Sequence, residues 1–177
     1  MEQKETHVAL PAADNWVTSP LRNRIKLELN APISEVWALV GNPAKMATYS
    51  FGLQKVDTKL DGTGKCTEYT CYFKPTEEDG QEIIHTAKML WHEPGKGWAS
   101  LDEEPNAFGL QRSLTLITFE QKDNKTFLDW SMHFDCENQE TLQMNILSLE
   151  QALNNDIAQR LLDKFGGKVI ESIVNGK

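Results

Sequence analysis

Residues 139–165 contain neither proline nor glycine and carry a helical repeat of apolar side chains. Leu142, Ile146, Leu149, Leu153, Ile157, Leu161 and Phe165 recur at three- and four-residue steps, which sets them along one side of a helix. Such a stripe must bury itself against another element. Repeated four-residue steps make it drift around the helix, and Ala158 and Leu162 widen it near the end, so the expected partner is a curved or twisted surface. Asn138 is placed to cap the helix, Glu140 falls in its first turn, and Gly166-Gly167 suits its C-terminus. The reading is one long helix packed on an antiparallel sheet supplied by the preceding hundred residues.

At 177 residues the chain suits one domain with a substantial core and room for a cavity. A net charge of −8 argues against general nucleic-acid binding, which relies on Lys and Arg to replace counterions. No apolar run approaches the roughly 20 residues of a membrane helix, and the N-terminus lacks the basic start and apolar stretch of a signal peptide. The expected location is cytoplasmic. Cys66, Cys71 and Cys136 are an odd number without metal-ligand spacing, which favours free thiols.

Residues 1–20 have no sustained period and read as a loose arm that Trp16 anchors; residues 21–177 read as the domain. Ile25, Leu27 and Leu29 alternate on a strand, after which Pro32 opens a helix carrying Ile33, Val36, Trp37 and Val40. A shorter helical piece follows near residues 44–49. The next expected strands are residues 53–60, 65–73, 81–92, 98–102, 110–120 and 127–135, joined by turns short enough for antiparallel neighbours. Alternation sets Thr67, Tyr69, Cys71 and Phe73 on one face; likewise Ile83, His85, Ala87, Met89 and Trp91; Leu110, Arg112, Leu114 and Leu116; and Leu128, Trp130, Met132 and Phe134.

Three phrases, IKLELNAPISEVWALVGNPAKMATY, MLWHEPGKGWASL and FLDWSMHF, together with this order of elements, resemble the SRPBCC superfamily, also called START-like or helix-grip proteins, and within it the polyketide cyclase/dehydrase and lipid-transport group. The resemblance spans residues 22–165. It implies an α+β helix-grip fold, a curved antiparallel sheet of about seven strands wrapped around the long C-terminal helix, with two short helices after the first strand. It also implies a cavity between sheet and helix, entered near the short helices and the strand-connecting loops. By position, Pro105, Asn106 and Phe108 correspond to the entrance loop of related hormone receptors, although the serine-glycine-leucine-proline pattern of those receptors is missing here.

His85 and Arg112 stand among apolar neighbours on their strands. An inward arginine can grip a carboxylate or phenolate, and a histidine can move a proton near neutral pH. The competing reading is that a bulge turns either residue outward, or that Arg112 pairs with an acid such as Glu68. Tyr69 can offer its hydroxyl to a ligand carbonyl or simply pack. Tyr49 and Phe51 fall at the implied cavity mouth, where they gate it or seal the short helix to the sheet. Trp91, Trp130, Leu149 and Leu153 complete the expected ligand-binding set, with Met144, Asn145, Asn154 and Ile157 as further wall candidates. Asn145 and Asn154 are expected on the exposed side, and either one within the stripe would need a hydrogen-bond partner. No spacing of His and Cys suits a metal, no glycine loop suits a phosphate, and no cofactor is expected.

The leading expectation is binding or transport of a small hydrophobic or aromatic molecule in the internal cavity. The alternatives are a polyketide cyclase/dehydratase-like enzyme using Tyr69, His85 and Arg112 to move protons, and a chaperone-associated module whose partner is a protein.

Overall fold

The computed structural model describes residues 9–75, 77–102 and 108–177. Strand β1 (Leu21–Leu29) leads to helix α1 (Ile33–Val40) and a 3-10 turn at Pro43–Thr48. Strands β2 (Leu53–Leu60), β3 (Cys66–Phe73), β4 (Ile83–Glu93), β5 (Gly97–Asp102), β6 (Leu110–Lys122) and β7 (Lys125–Cys136) come after it. The long helix is next, in three windings: α2 (Gln139–Leu149), a π-helical segment (Glu150–Ile157) and α3 (Ala158–Phe165). The expected Asn138 cap is present, its side chain accepting from Thr141 N.

An eighth strand, β8 (Gly167–Val174), lies beyond what the sequence pattern suggested. It pairs antiparallel with β1, and the sheet order is β2-β3-β4-β5-β6-β7-β1-β8. Gly166 at φ 72° and Gly167 at φ 124° turn the chain from helix to strand. A Cβ on Gly167 would stand 1.8 Å from Glu28 O, so only glycine lets β8 begin so close to β1.

The helix and the sheet enclose the main core. Ile25, Leu27, Leu29, Trp98, Ile117 and Leu128 from the strands meet Leu153, Ile157 and Leu161 from the helix. A second apolar layer covers the other sheet face, where Val17 and Trp16 of the N-terminal arm pack with Ala99, Leu101, Leu114 and Leu116. The short α1 is tied to the sheet through its last carbonyls: Trp98 Nε1 donates to Val40 O at 2.9 Å, and His92 Nε2 lies 2.9 Å from Gly41 O. These contacts supply the donors that a helix C-terminus lacks.

Two bulges reverse the expected facing of side chains. On β6 the register shifts between Gln111 and Leu114, and Arg112 takes φ 42° and is exposed. One extra residue flips everything beyond it. Leu110 therefore faces the helix, but Leu114 and Leu116 face the arm, while Ser113, Thr115 and Ile117 turn inward. The inward placement expected for Arg112 is corrected accordingly, and Glu68 pairs instead with Lys59 at 2.6 Å.

On β4 the shift falls between Met89 and Trp91. Trp91 leaves the face of His85 and stacks on Trp16, with centroids 6.4 Å apart and 28° between planes. Its expected place in a ligand site is corrected for the same reason, and the arm gains its anchor. Asn154, expected on the exposed side, is instead 6% exposed.

Candidate functional site

Between β3–β7 and the first half of the long helix lies a cavity of about 360 Å3, within the roughly 300–1,000 Å3 common for small-ligand sites. Phe73, Ile83, Phe108, Leu110, Met132 and Leu149 supply apolar wall. Polar side chains are spread between these, with Ser50, Lys74, Ser113, Thr115, Asn145 and Ser148 at separate points of the wall and one group where β3, β4 and β5 lie side by side.

Two pairs make up this group. Tyr69 Oη and Ser100 Oγ are 2.7 Å apart, and His85 Nε2 contacts Asp102 Oδ2. Strand alternation builds both. Tyr69 and Cys71 share the inward face of β3, with Cys71 paired to His85 across the ladder. Trp98, Ser100 and Asp102 occupy the same face of β5 at steps of two.

Burial pushes the Tyr69 hydroxyl well above its ordinary value, with Cys71 and Asp102 adding to the rise and the Ser100 bond opposing it. The Tyr69 hydroxyl therefore stays neutral. Burial, helped by the Asp102 charge, likewise pushes the Cys71 thiol up to about 12. Alkylation requires the thiolate, so native protein treated with iodoacetamide at pH 8 should leave Cys71 unmodified while the denatured chain is labelled there, as read by peptide mass mapping.

A carboxylate can only accept, so His85 Nε2 donates to Asp102 and the imidazole is fixed in orientation. Among the described residues His85 Nδ1 has no hydrogen-bond partner. The group thus offers a hydroxyl pair able to donate or accept beside an oriented imidazole.

Between the lining residues Ser50 and Gly52, Phe51 is 65% exposed, with Lys74 Nζ 4.5 Å and Arg160 Cζ 5.7 Å from its ring centroid. Phe51 N donates to Asp156 Oδ2 at 3.0 Å, fixing this post to the helix. Among the lining residues, Asn145 Nδ2 donates to Phe108 O and Thr141 O, both at 2.9 Å. Lys74 is the cation among the lining residues.

Of the residues singled out from sequence, Tyr69, His85, Phe108 and Leu149 line this cavity, and Trp130 and Leu153 line a smaller chamber adjoining it. Tyr49 is 3% exposed and packs edge-on against Trp130 at 6.4 Å. It seals the 3-10 turn to the sheet, whereas Phe51 is 65% exposed and lines neither cavity. Arg112 and Trp91 stand apart because the β6 and β4 bulges turn them away. Pro105 and Asn106 lie outside the described residues.

Asp102, Ser100 and Ser113 are site residues that sequence reasoning overlooked. The alternation of Trp98, Ser100 and Asp102 on a strand next to that of His85 was the available signal. Among the described residues no group of three His, Cys, Asp or Glu side chains could hold a metal ion, and no helix is long and apolar enough to cross a membrane.

No protein-family model and no curated protein sequence matches the chain. Solved structures do resemble it. The Zhui aromatase/cyclase from Streptomyces sp. R1128 aligns over 81% of this chain and 93% of its own, with TM-score 0.63 and 15% identity. A START superfamily protein from Mycobacterium smegmatis gives TM-score 0.62 at 8% identity, covering 80% of this chain and 97% of its own. Major latex-like protein 151 from Panax ginseng gives 0.53 at 13% identity, covering 80% and 98%. At these identities the likeness concerns architecture. The eight-stranded antiparallel sheet and its long C-terminal helix give this chain a START-like, helix-grip fold.

Proposed function

We propose that the protein binds a small, mostly apolar molecule between the sheet and the long helix, with the Tyr69–Ser100 and His85–Asp102 pairs orienting its polar group. The observation that carries this reading is the cavity of about 360 Å3, an aromatic and aliphatic enclosure into which two hydrogen-bonded polar pairs are set. Apolar contact then supplies affinity, and the paired groups supply direction. The neighbours in fold include an aromatase/cyclase and a START protein, which supports a ligand-binding use of the same architecture.

Native mass spectrometry tests the reading. Protein purified under gentle conditions should carry a mass increment that disappears on denaturation, or should take up an apolar probe such as 6-acetyl-2-naphthol at one molecule per chain. A chain that carries nothing and takes up no apolar probe would overturn it.

The enzymatic reading has one specific observation in its favour. Asp102 orients the His85 imidazole, and the Tyr69–Ser100 hydroxyl pair stands on the wall of the same cavity. These are residue types able to move protons on a bound molecule. A binding protein releases its molecule unchanged, whereas an acid–base enzyme releases an altered one. Mass analysis of the released molecule separates the two.

A further inference from the structure

Both polar pairs continue across β5 onto β6. In the ladder between these strands Ser100 stands opposite Thr115, and Asp102 stands opposite Ser113. Residues directly opposite share a face, with Cβ atoms about 5 Å apart. The bulge at Arg112 turns Ser113 and Thr115 inward, and both line the main cavity. Thr115 also lines the smaller inner chamber of about 140 Å3, so it stands where the two spaces meet.

Ser113 is 5% exposed, and among the described residues its hydroxyl has no hydrogen-bond partner. It differs from the unpartnered atoms sealed in the core, such as Tyr49 Oη and Trp130 Nε1, because it borders the open volume of the cavity. Most buried polar groups in folded proteins are hydrogen-bonded, and for Ser113 the group within reach is a molecule held in the cavity. Thr115 Oγ1 donates to Met132 Sδ at 3.1 Å, which leaves its lone pairs able to accept.

The two hydroxyls are two residues apart on one strand, about 6.6 Å along it. Asp102 beside Ser113 is 8% exposed, and an anionic oxygen there would meet like charge in a desolvated site. A neutral hydroxyl fits both positions, since it can donate to Thr115 Oγ1 and either donate to or accept from Ser113 Oγ. Phe73 and Phe108, edge to face with centroids 4.9 Å apart, line the same cavity and suit a flat aromatic body.

We propose that the cavity's ligand is a flat, neutral diol with both hydroxyls on one edge, the first held by Ser113 beside Asp102 and the second by Thr115 beside Ser100. This rests on the proposed binding function and narrows it to a ligand class. Ser113 is then a specificity-determining residue. A ligand without an oxygen at that point leaves the serine hydroxyl unpaired, which is the situation in which polar sites discriminate most strongly.

Two fluorescent isomers test it. Naphthalene-2,7-diol carries its oxygens on one long edge at about the Ser113–Thr115 spacing, whereas naphthalene-2,6-diol carries them on opposite edges. The 2,7 isomer should bind the intact protein about tenfold or more tightly. Ser113→Ala should reduce that preference to less than about threefold, with circular dichroism reporting the fold. Should Ser113→Ala fail to fold, Thr115→Val, which keeps the shape of the side chain, gives the same reading from the other hydroxyl. Equal affinities for the isomers, binding of neither while 6-acetyl-2-naphthol binds, or a preference that survives the substitution in a folded protein would overturn the diol assignment and leave the binding function intact. Failure of all three compounds to bind at about millimolar concentration would remove the binding function itself, and the diol assignment with it.

Discussion

Replacing Asn154 by Ala should lower stability by about 3 kcal/mol, seen as a fall of roughly 6–12 °C in the thermal midpoint for a chain of this size. Asn154 is 6% exposed and sits in the π-helical segment. Its Oδ1 accepts from Asn23 Nδ2 at 3.1 Å, and its Nδ2 donates towards Arg24 O at 3.0 Å, Ser172 Oγ at 2.9 Å and Ile173 O at 3.1 Å. One amide thereby joins the helix to β1 and β8. Asn23 extends the link by donating to Ile146 O at 3.2 Å.

Alanine removes the amide and strands Asn23 with part of its bonding lost, at full burial. A buried polar network that is partly satisfied is worse than an apolar one. Leu at the same position therefore should not rescue the protein, because Asn23 keeps only its bond to Ile146 O and loses the acceptor Asn154 supplied. The double change Asn23→Ala with Asn154→Ala should cost clearly less than the sum of the single changes. Strict additivity in denaturant titrations would show that the two residues act independently.

The second large effect concerns the cavity. Leu149→Trp should reduce affinity for a cavity ligand at least about 100-fold, a difference of about 2.7 kcal/mol, while leaving the chain folded. Leu149 is half-buried and lines both the main cavity and the inner chamber. An indole there extends into open volume, where added side-chain bulk does not force the strain that overpacking causes in a filled core. Titration with 6-acetyl-2-naphthol reports the affinity and circular dichroism reports the fold. Undiminished affinity in a folded Leu149→Trp protein would place the binding site elsewhere on the molecule.

The parts of this architecture that were legible from sequence are those governed by uninterrupted periods. The helical stripe of residues 142–165, the inward set Tyr69, Cys71 and Phe73, and the β7 set around Trp130 all derive from side-chain geometry alone. What escaped was decided at single positions. Arg112 occupies a left-handed backbone conformation without being glycine, and no local residue pattern marks the bulge it creates. The extra residue at Leu90 is equally silent, yet it moves Trp91 to the opposite face.

Strand β8 was missed because its eight residues begin at a glycine pair that also reads as a stop. The polar pairs of the cavity were half legible. His85 and Tyr69 stood out as polar groups among apolar neighbours, whereas Asp102 looked like the end of a short strand. Its burial depends on the register between β4 and β5, a relation between strands that periodicity within one strand does not express. Asn154 became visible as an anchor only once β8 was in place.

The repeated four-residue steps of the long helix have a meaning beyond the curvature they suggested. In an α-helix each such step overshoots a full turn by about 40°, and over several turns the stripe would leave the sheet. The π-helical winding at Glu150–Ile157, with its i→i+5 bonding, fits more residues into each turn and brings Leu153, Ile157 and Leu161 back onto the core. The helix consequently tolerates changes of length unevenly along its axis. A residue lost within the wide turns can be absorbed by rewinding to α, with the flanks keeping their phase. The same loss within Ala158–Phe165 would rotate the rest of the helix by about 100°, carrying Phe165 and the start of β8 away from β1. Variation in chain length among proteins of this design is thus expected to concentrate beside the cavity, where the helix has slack, and to spare the turn into the last strand.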